Sequence, residues 1–442
     1  MQRVFNKKKI SLFSLLVCTL FLSGTLYAEN KNEPVSLREK LLALQGVTEV
    51  DSLGSQHYSE KFAVRLEQFL DPKNPAAGTF RQRIIVCHAG YDRPTVLVTE
   101  GYGGAYALDP RYREELSELL DANVVFVEYR YFLESTPEPL NWDYLTAENS
   151  AYDLHRVNQT FRSLYPDKWI STGISKGGQT TLLYRAFFPD DVDFSVPYVA
   201  PLNRGVEDGR HEPFLRRVGT KKERKAIENF QLEVLKRKPE IIPLLEEFCR
   251  EKQLRFRIPL EEVLDYCVLE YPFALWQWGT PVRNIPSLTA CTKELFDHLI
   301  RISSPDYFAE DQPNLSFFVQ AARELGYYGY DTKPFRRYLT IESAEGYLDR
   351  IMLPRELVGK IPFDPALYHK IYAFLRDNDP KMICIYGEND PWTATHVPVF
   401  KGKVNLQVYF QPGGSHLARI GTLPEKIRRR IMEQMRKWLE EE

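Results

Sequence analysis

The chain has 442 residues, 43% hydrophobic and 27% charged, a globular balance that excludes a disordered or collagen-like polymer. Its 58 Lys and Arg against 60 Asp and Glu leave a net charge of −2, which argues against nucleic acid as a partner held by charge. The length allows one large domain with an insertion, or two domains. Phe, Tyr and Trp make up 13% of positions, and such residues serve both cores and flat-walled pockets.

Residues 1–28 read as an export signal. Arg3 and Lys7 to Lys9 precede an apolar run, Ile10–Leu22, and Ser23, Gly24 and Ala28 supply small residues before a cut. The run is shorter than the ~20 residues a membrane span needs. The expectation is therefore a periplasmic or secreted protein with no stable membrane insertion after cleavage. Losing those four cations takes the net charge from −2 to −6. Cys87, Cys249, Cys267, Cys291 and Cys384 then remain. None form a close metal-binding or redox pair. Oxidising conditions permit a Cys249–Cys267 disulfide, although buried inert thiols account for most of the set.

Phe62, Val64 and Leu66 alternate, Asp71 to Pro75 breaks the chain, and Phe80–Val86 alternates again, so two joined strands are expected. Thr95–Thr99, Val124–Val127, Trp169–Thr172 and Phe194–Val199 are short apolar runs of the buried parallel type. Helical patterns at 111–120, 146–164 and 176–188 lie between or after them. Strand alternating with helix predicts a parallel sheet covered on both faces. From about 205 to 377 the pattern turns helical, with segments at 226–236, 242–251, 260–270, 292–302, 315–325 and 365–375. Strand patterns return at Met382–Tyr386 and Leu406–Phe410, and an amphipathic helix closes the chain over 424–439.

The informative stretch is Trp169-Ile-Ser-Thr-Gly-Ile-Ser-Lys-Gly-Gly-Gln. It sets Gly173-x-Ser175-x-Gly177 between a strand and a helix, the context of a nucleophile elbow. Ser175 needs a base, because a serine hydroxyl alone is a poor nucleophile. The acid and base are expected in the order Ser, Asp, His after later strands. Asp390 follows the strand Met382–Tyr386, with Glu388 as a rival; His416 follows Leu406–Phe410, with His396 as a rival. His416 would move the proton and Asp390 would hold its tautomer. Backbone N–H groups of Lys176 and Gly101 are the candidate oxyanion donors. The Lys176 side chain is either a surface charge or a participant. No residue pattern calls for a metal or a cofactor.

These segments together resemble the secreted bacterial prolyl tripeptidyl and tetrapeptidyl aminopeptidases, serine-peptidase family thirty-seven. They are more distantly similar to the lysosomal prolylcarboxypeptidase and dipeptidyl peptidase II family. The likeness rests on Gly78-Thr-Phe-Arg-Gln-Arg, Thr99-Glu-Gly, Val125-Phe-Val-Glu-Tyr-Arg-Tyr-Phe-Leu-Glu-Ser, the Ser175 elbow, Asn389-Asp-Pro-Trp and Gly414-Ser-His. Tyr129 stands where the distant family has histidine. The resemblance, which runs outside the cap, implies an α/β-hydrolase fold; the element pattern divides it into two parts (29–204 and 378–442) around a helical cap (205–377). The resemblance also implies a serine exopeptidase that cuts after proline and removes short peptides from a free N-terminus. A compact proline ring suits aromatic walls, for which Trp392, Tyr102, Trp276 and Trp278 are candidates. The substrate ammonium needs a carboxylate, for which Glu100 comes first and Glu128 second. Glu128 has a structural alternative, a buried pair with Arg130 or another arginine. An esterase or lipase on the same fold, and a catalytically inactive binding protein, are the competing readings.

Overall fold

The computed structural model describes residues 35–441, so the expected export signal lies outside the described residues. Nine strands of the described residues form one sheet: β1 (Val47–Leu53), β2 (Glu60–Phe69), β3 (Thr79–His88), β4 (Thr95–Thr99), β5 (Asn123–Val127), β6 (Trp169–Ile174), β7 (Phe194–Tyr198), β8 (Met382–Gly387) and β9 (Leu406–Gln411). Their spatial order is β1-β2-β3-β5-β4-β6-β7-β8-β9. The pairs β1–β2, β2–β3 and β3–β5 are antiparallel, and every pair from β5 to β9 is parallel. This order, with the sharp turn after β6 and a helical insertion after β7, is that of an α/β-hydrolase.

Alternation along each strand builds two cores. In β3, Ile84 and Val86 enter one and Ile85 and Cys87 the other. Helices accompany the sheet on both faces. The first part carries α1 (Leu37–Leu42), α2 (Glu115–Leu120), α3 (Ala147–Arg162) and α4 (Lys176–Phe187). The insertion carries α5 (His211–Leu215), α6 (Lys221–Lys236), α7 (Lys238–Glu251), α8 (Leu260–Gln277), α9 (Thr292–Ile302), α10 (Leu315–Gln320) and α11 (Ala366–Asp377). α12 (Glu425–Glu440) ends the described chain. Leu116 of α2 and Ile431, Met435 and Trp438 of α12 pack one sheet face. Leu154 and Phe161 of α3 and Leu182 of α4 pack the other, in a core continuous with the insertion.

The expected strands and longer helices form, with three differences of physical interest. β1 is an addition to the expected strands: this edge strand buries only Val50 and so shows no apolar alternation. α6 starts at Lys221, where Thr220 caps the helix with Glu223 in a reciprocal box. The Lys-Lys-Glu-Arg-Lys run is thus its solvated first turn. α8 runs seven residues beyond the expected Glu270, through Pro272 to Gln277, and is buried nearly all round. Cys249 and Cys267 are buried free thiols, which fits the reading of inert buried cysteines rather than the permitted disulfide.

Candidate active site

Ser175 sits between β6 and α4 with φ 60 and ψ −121, a strained conformation for a residue with a side chain. Its N–H is donated to Tyr198 O at 2.9 Å, which ties the elbow to β7. The glycines are steric requirements. A Cβ on Gly173 would come within 2.3 Å of Gly177 O, and one on Gly178 within 2.6 Å of Tyr198 O. The N–H of Lys176 opens α4, where a helix leaves its first donors without a helical partner.

Asp390 and His416 occupy the loops after β8 and β9. These loops press together so tightly that a Cβ on Gly387 would meet Ser415 O at 2.1 Å. Asp390 is fully buried. Its Oδ2 bonds His416 Nδ1 at 2.6 Å, and its Oδ1 accepts the Trp392 N–H at 3.1 Å. The second imidazole nitrogen, Nε2, has no hydrogen-bond partner among the described residues. The two rivals are engaged elsewhere. Glu388 accepts the Gly413 N–H at 2.8 Å, and His396 Nδ1 faces Val397 O at 2.7 Å.

A cavity of about 290 Å³ opens on Ser175 and is walled by Tyr102, Trp392, Trp278, Phe317, Tyr327, Tyr328 and Glu270, among others. Trp392 is locked by four rings, His211, Phe273, Tyr327 and Tyr328, at centroid distances of 5.2–5.5 Å. Trp278 stands edge-on to His416 at 5.9 Å. Trp276, two residues away on α8, is instead in a separate groove between α6 and α8 with Arg224 and Ile227. The expectation that it joins the slot is corrected: residues two apart on a helix point to different faces.

Three more expectations change. Glu128 is fully buried beneath the site. It pairs with Arg83, accepts the Gly104 N–H at 2.8 Å, and takes the Ser135 N–H and hydroxyl at 3.1 and 2.9 Å. Both carboxylate oxygens are used internally, so it is a brace rather than a substrate ligand, and the structural alternative holds with Arg83 as the other arginine. Glu100 bends back onto its own loop. Oε1 accepts the N–H groups of Gly101 and Tyr102 at 3.0 and 3.2 Å, and the Tyr106 hydroxyl reaches Oε2 at 2.5 Å. Burial raises its carboxyl above the usual value, against those hydrogen bonds. Lys176 is no surface charge, being 2% exposed. Its Nζ lies 3.3 Å from the Tyr129 ring centroid, and burial drives the amine well below its usual value while Glu100 and Glu324 oppose that.

Glu270 was missed by sequence reasoning. It lines the Ser175 cavity, yet it is only 6% exposed. The hydroxyls of Tyr328 and Tyr330 both donate to its Oε2, at 2.9 and 2.8 Å. Burial pushes its carboxyl up to about 7, against the two tyrosine hydrogen bonds. An acidic residue inside the apolar run Val268-Leu-Glu-Tyr-Pro-Phe was the available signal. Among the described residues no cluster of His, Cys, Asp and Glu is arranged to hold a metal ion, and no helix is long and apolar enough to cross a membrane.

A family model, PS-10 peptidase S37, matches residues 28–440. The prolyl tri/tetrapeptidyl aminopeptidase of Streptomyces mobaraensis is 29% identical over 429 residues, covering 94% of this chain and 88% of that protein. Among solved structures, a proline iminopeptidase from Mycobacterium smegmatis aligns with a TM-score of 0.39 at 12% identity, covering 88% of this chain and 99% of that one. A proline iminopeptidase-related protein from Thermus thermophilus aligns with a TM-score of 0.36 at 11% identity, covering 88% of this chain and 98% of that one. With the family match running through almost the whole chain, this protein belongs to the PS-10 peptidase S37 family and is a serine peptidase on an α/β-hydrolase fold.

Proposed function

We propose that the protein is an exported aminopeptidase that releases short peptides from a free N-terminus by cleavage after proline. Ser175 is the nucleophile, His416 the base and Asp390 its orienting acid. Ser175 Oγ attacks the carbonyl carbon while His416 Nε2 takes its proton. Asp390, bonded to Nδ1, holds the required tautomer and steadies the imidazolium that forms. The oxyanion is received by the Lys176 N–H; the Gly101 N–H, donated to Glu100 Oε1 at 3.0 Å, joins it only if that bond is given up. The protonated His416 then delivers its proton to the leaving amine, and water resolves the acyl-enzyme by the reverse sequence.

The observation that carries the aminopeptidase reading is Glu270. It is a buried carboxylate that lines the cavity of the nucleophile, with one oxygen held by two tyrosines. An ammonium ion is the partner that compensates such a charge in a closed site. Trp392 and Tyr102, on the same cavity wall, supply flat apolar faces for a proline ring. Spacing supports a short peptide. Glu270 and Trp278 lie eight positions apart along α8 and its cap, about 12 Å at ~1.5 Å per residue. An extended peptide covers that length in about three to four residues at ~3.3–3.6 Å each.

Mass spectrometry of a proline-containing peptide library, with and without N-terminal acetylation, tests this reading. Release of short fragments ending in proline from free peptides only is the expected result. Equal cleavage of acetylated peptides refutes the N-terminal requirement, and turnover of nitrophenyl esters with no amide cleavage returns the chain to the esterase class. Fluorophosphonate labelling that disappears in Ser175→Ala excludes an inactive binding protein.

A further inference from the structure

In acyl transfer the proton that His416 accepts goes next to the leaving amine. The first residue of the leaving peptide must therefore lie on the His416 side of Ser175. The side chain that walls the cavity there is Trp278, edge-on to the imidazole at 5.9 Å. It is 55% exposed, whereas Trp392 is 7% and Glu270 6% exposed. The cavity wall thus runs from a closed end at Glu270 to an open mouth at Trp278. That polarity matches a substrate whose N-terminus is enclosed and whose remainder trails into solvent.

The backbone that carries Trp278 is fastened to the His416 loop. The Gln277 carbonyl accepts the His416 N–H at 2.9 Å, and the Trp278 N–H closes the helix on Ala274 O at 3.1 Å. Gly279, with φ +66, follows so closely against Ser415 that a Cβ would sit 3.0 Å from its side chain. The main chain is held while the indole face stays in water. An exposed ring on a fixed backbone is well suited to receive an apolar face.

We infer that Trp278 reads the residue immediately after the scissile bond, favouring flat or apolar side chains there over glycine or acidic ones. The inference rests on the proposed triad and extends it to the leaving side. Trp278 acts in acylation, when the leaving peptide is present. It has no leaving residue to touch in deacylation.

The test uses full-length enzyme and peptides with one acyl portion, Ala-Ala-Pro, followed by Phe, Leu, Gly or Asp. Wild type is expected to favour Phe over Gly by about tenfold in kcat/KM, the scale of one apolar contact. Trp278→Ala should compress that ratio to about twofold, and Trp278→Phe should keep part of it. The nitrophenyl ester of the same acyl group, run where deacylation limits turnover, reports damage unrelated to the leaving residue. Absence of the Phe preference in wild type, its survival in Trp278→Ala, or a uniform fall on all four peptides matched on the ester overturns the inference. Failure of the triad is visible separately, as a wild-type enzyme that fluorophosphonate does not label.

Discussion

Replacing Glu270 by Gln keeps an acceptor for the Tyr328 and Tyr330 hydroxyls and removes one negative charge from the cavity. Two effects follow with opposite signs. On activity, an enclosed ammonium loses its counter-charge, which costs about 2–3 kcal/mol, or ~30–150-fold in kcat/KM for substrates with a free N-terminus. On stability, the carboxyl moves from its usual 4.5 to about 7 on folding because burial disfavours its charge. A group whose pKa rises on folding contributes stability below its unfolded value and loses it as pH climbs through the folded value. The loss amounts to about 3 kcal/mol between pH ~4.5 and ~7 at 1.36 kcal/mol per unit. Glu270→Gln escapes it. The variant should therefore resist urea better than wild type at pH 8, with most of the difference gone by pH 5. The same ionisation sets substrate affinity. Wild-type KM for a free N-terminal peptide should rise as pH falls below about 7, while that of the variant stays flat. The assays are urea denaturation at the two pH values and anilide kinetics with free and acetylated peptides. A variant that is less stable at pH 8, or that still discriminates against acetylated peptides, refutes the reasoning.

His416→Ala should lower kcat by about four orders of magnitude or more while the thermal transition barely moves, because the base is lost and the fold keeps its packing. Near wild-type turnover on Ala-Ala-Pro anilide rules the assignment out. Glu100→Gln should leave the preference for a free N-terminus intact, since that carboxylate is engaged by the N–H groups of its own loop; collapse of the preference in the acetylation assay restores Glu100 as the anchor. Glu128→Ala strands the buried Arg83 guanidinium and should cost about 3 kcal/mol in chemical denaturation, the lower end for a broken buried pair because Glu134 still binds Arg83 at 2.7 Å. A change under about 1 kcal/mol would show that the pair is not a structural brace.

Much of the fold was legible because buried parallel strands announce themselves. Thr95–Thr99 and Asn123–Val127 are buried at every position, so each reads as a short apolar run flanked by helical periodicity. The positions of Ser175, Asp390 and His416, the proposed triad, could be picked out for a related reason: each follows a recognisable strand end. The substrate-facing residues were harder. Trp276 and Trp278 look equivalent in the chain, and only the rotation of α8 separates a groove outside the site from a wall within it. Glu128 met Arg83 through the pairing of β3 with β5, a long-range match that no local pattern carries. Glu270 did leave a local trace, an acidic residue on a helix buried on nearly all sides, but the buried Asp265 on the same helix leaves the same trace, and only the cavity shared with Ser175 separates them.

The placement of the helical insertion between β7 and β8 has a consequence for the timing of activity. Ser175 belongs to the part of the sheet made first, and Asp390 and His416 to the last two strands to be synthesised. β8 must find β7 after a long excursion of chain, a non-local pairing whose loop closure is slow relative to the local helices formed meanwhile. A nascent or truncated chain ending before β8 therefore carries the Ser175 elbow without Asp390 and His416, its proposed partners. With the proposed triad, peptidase activity is expected only once the final strands have docked.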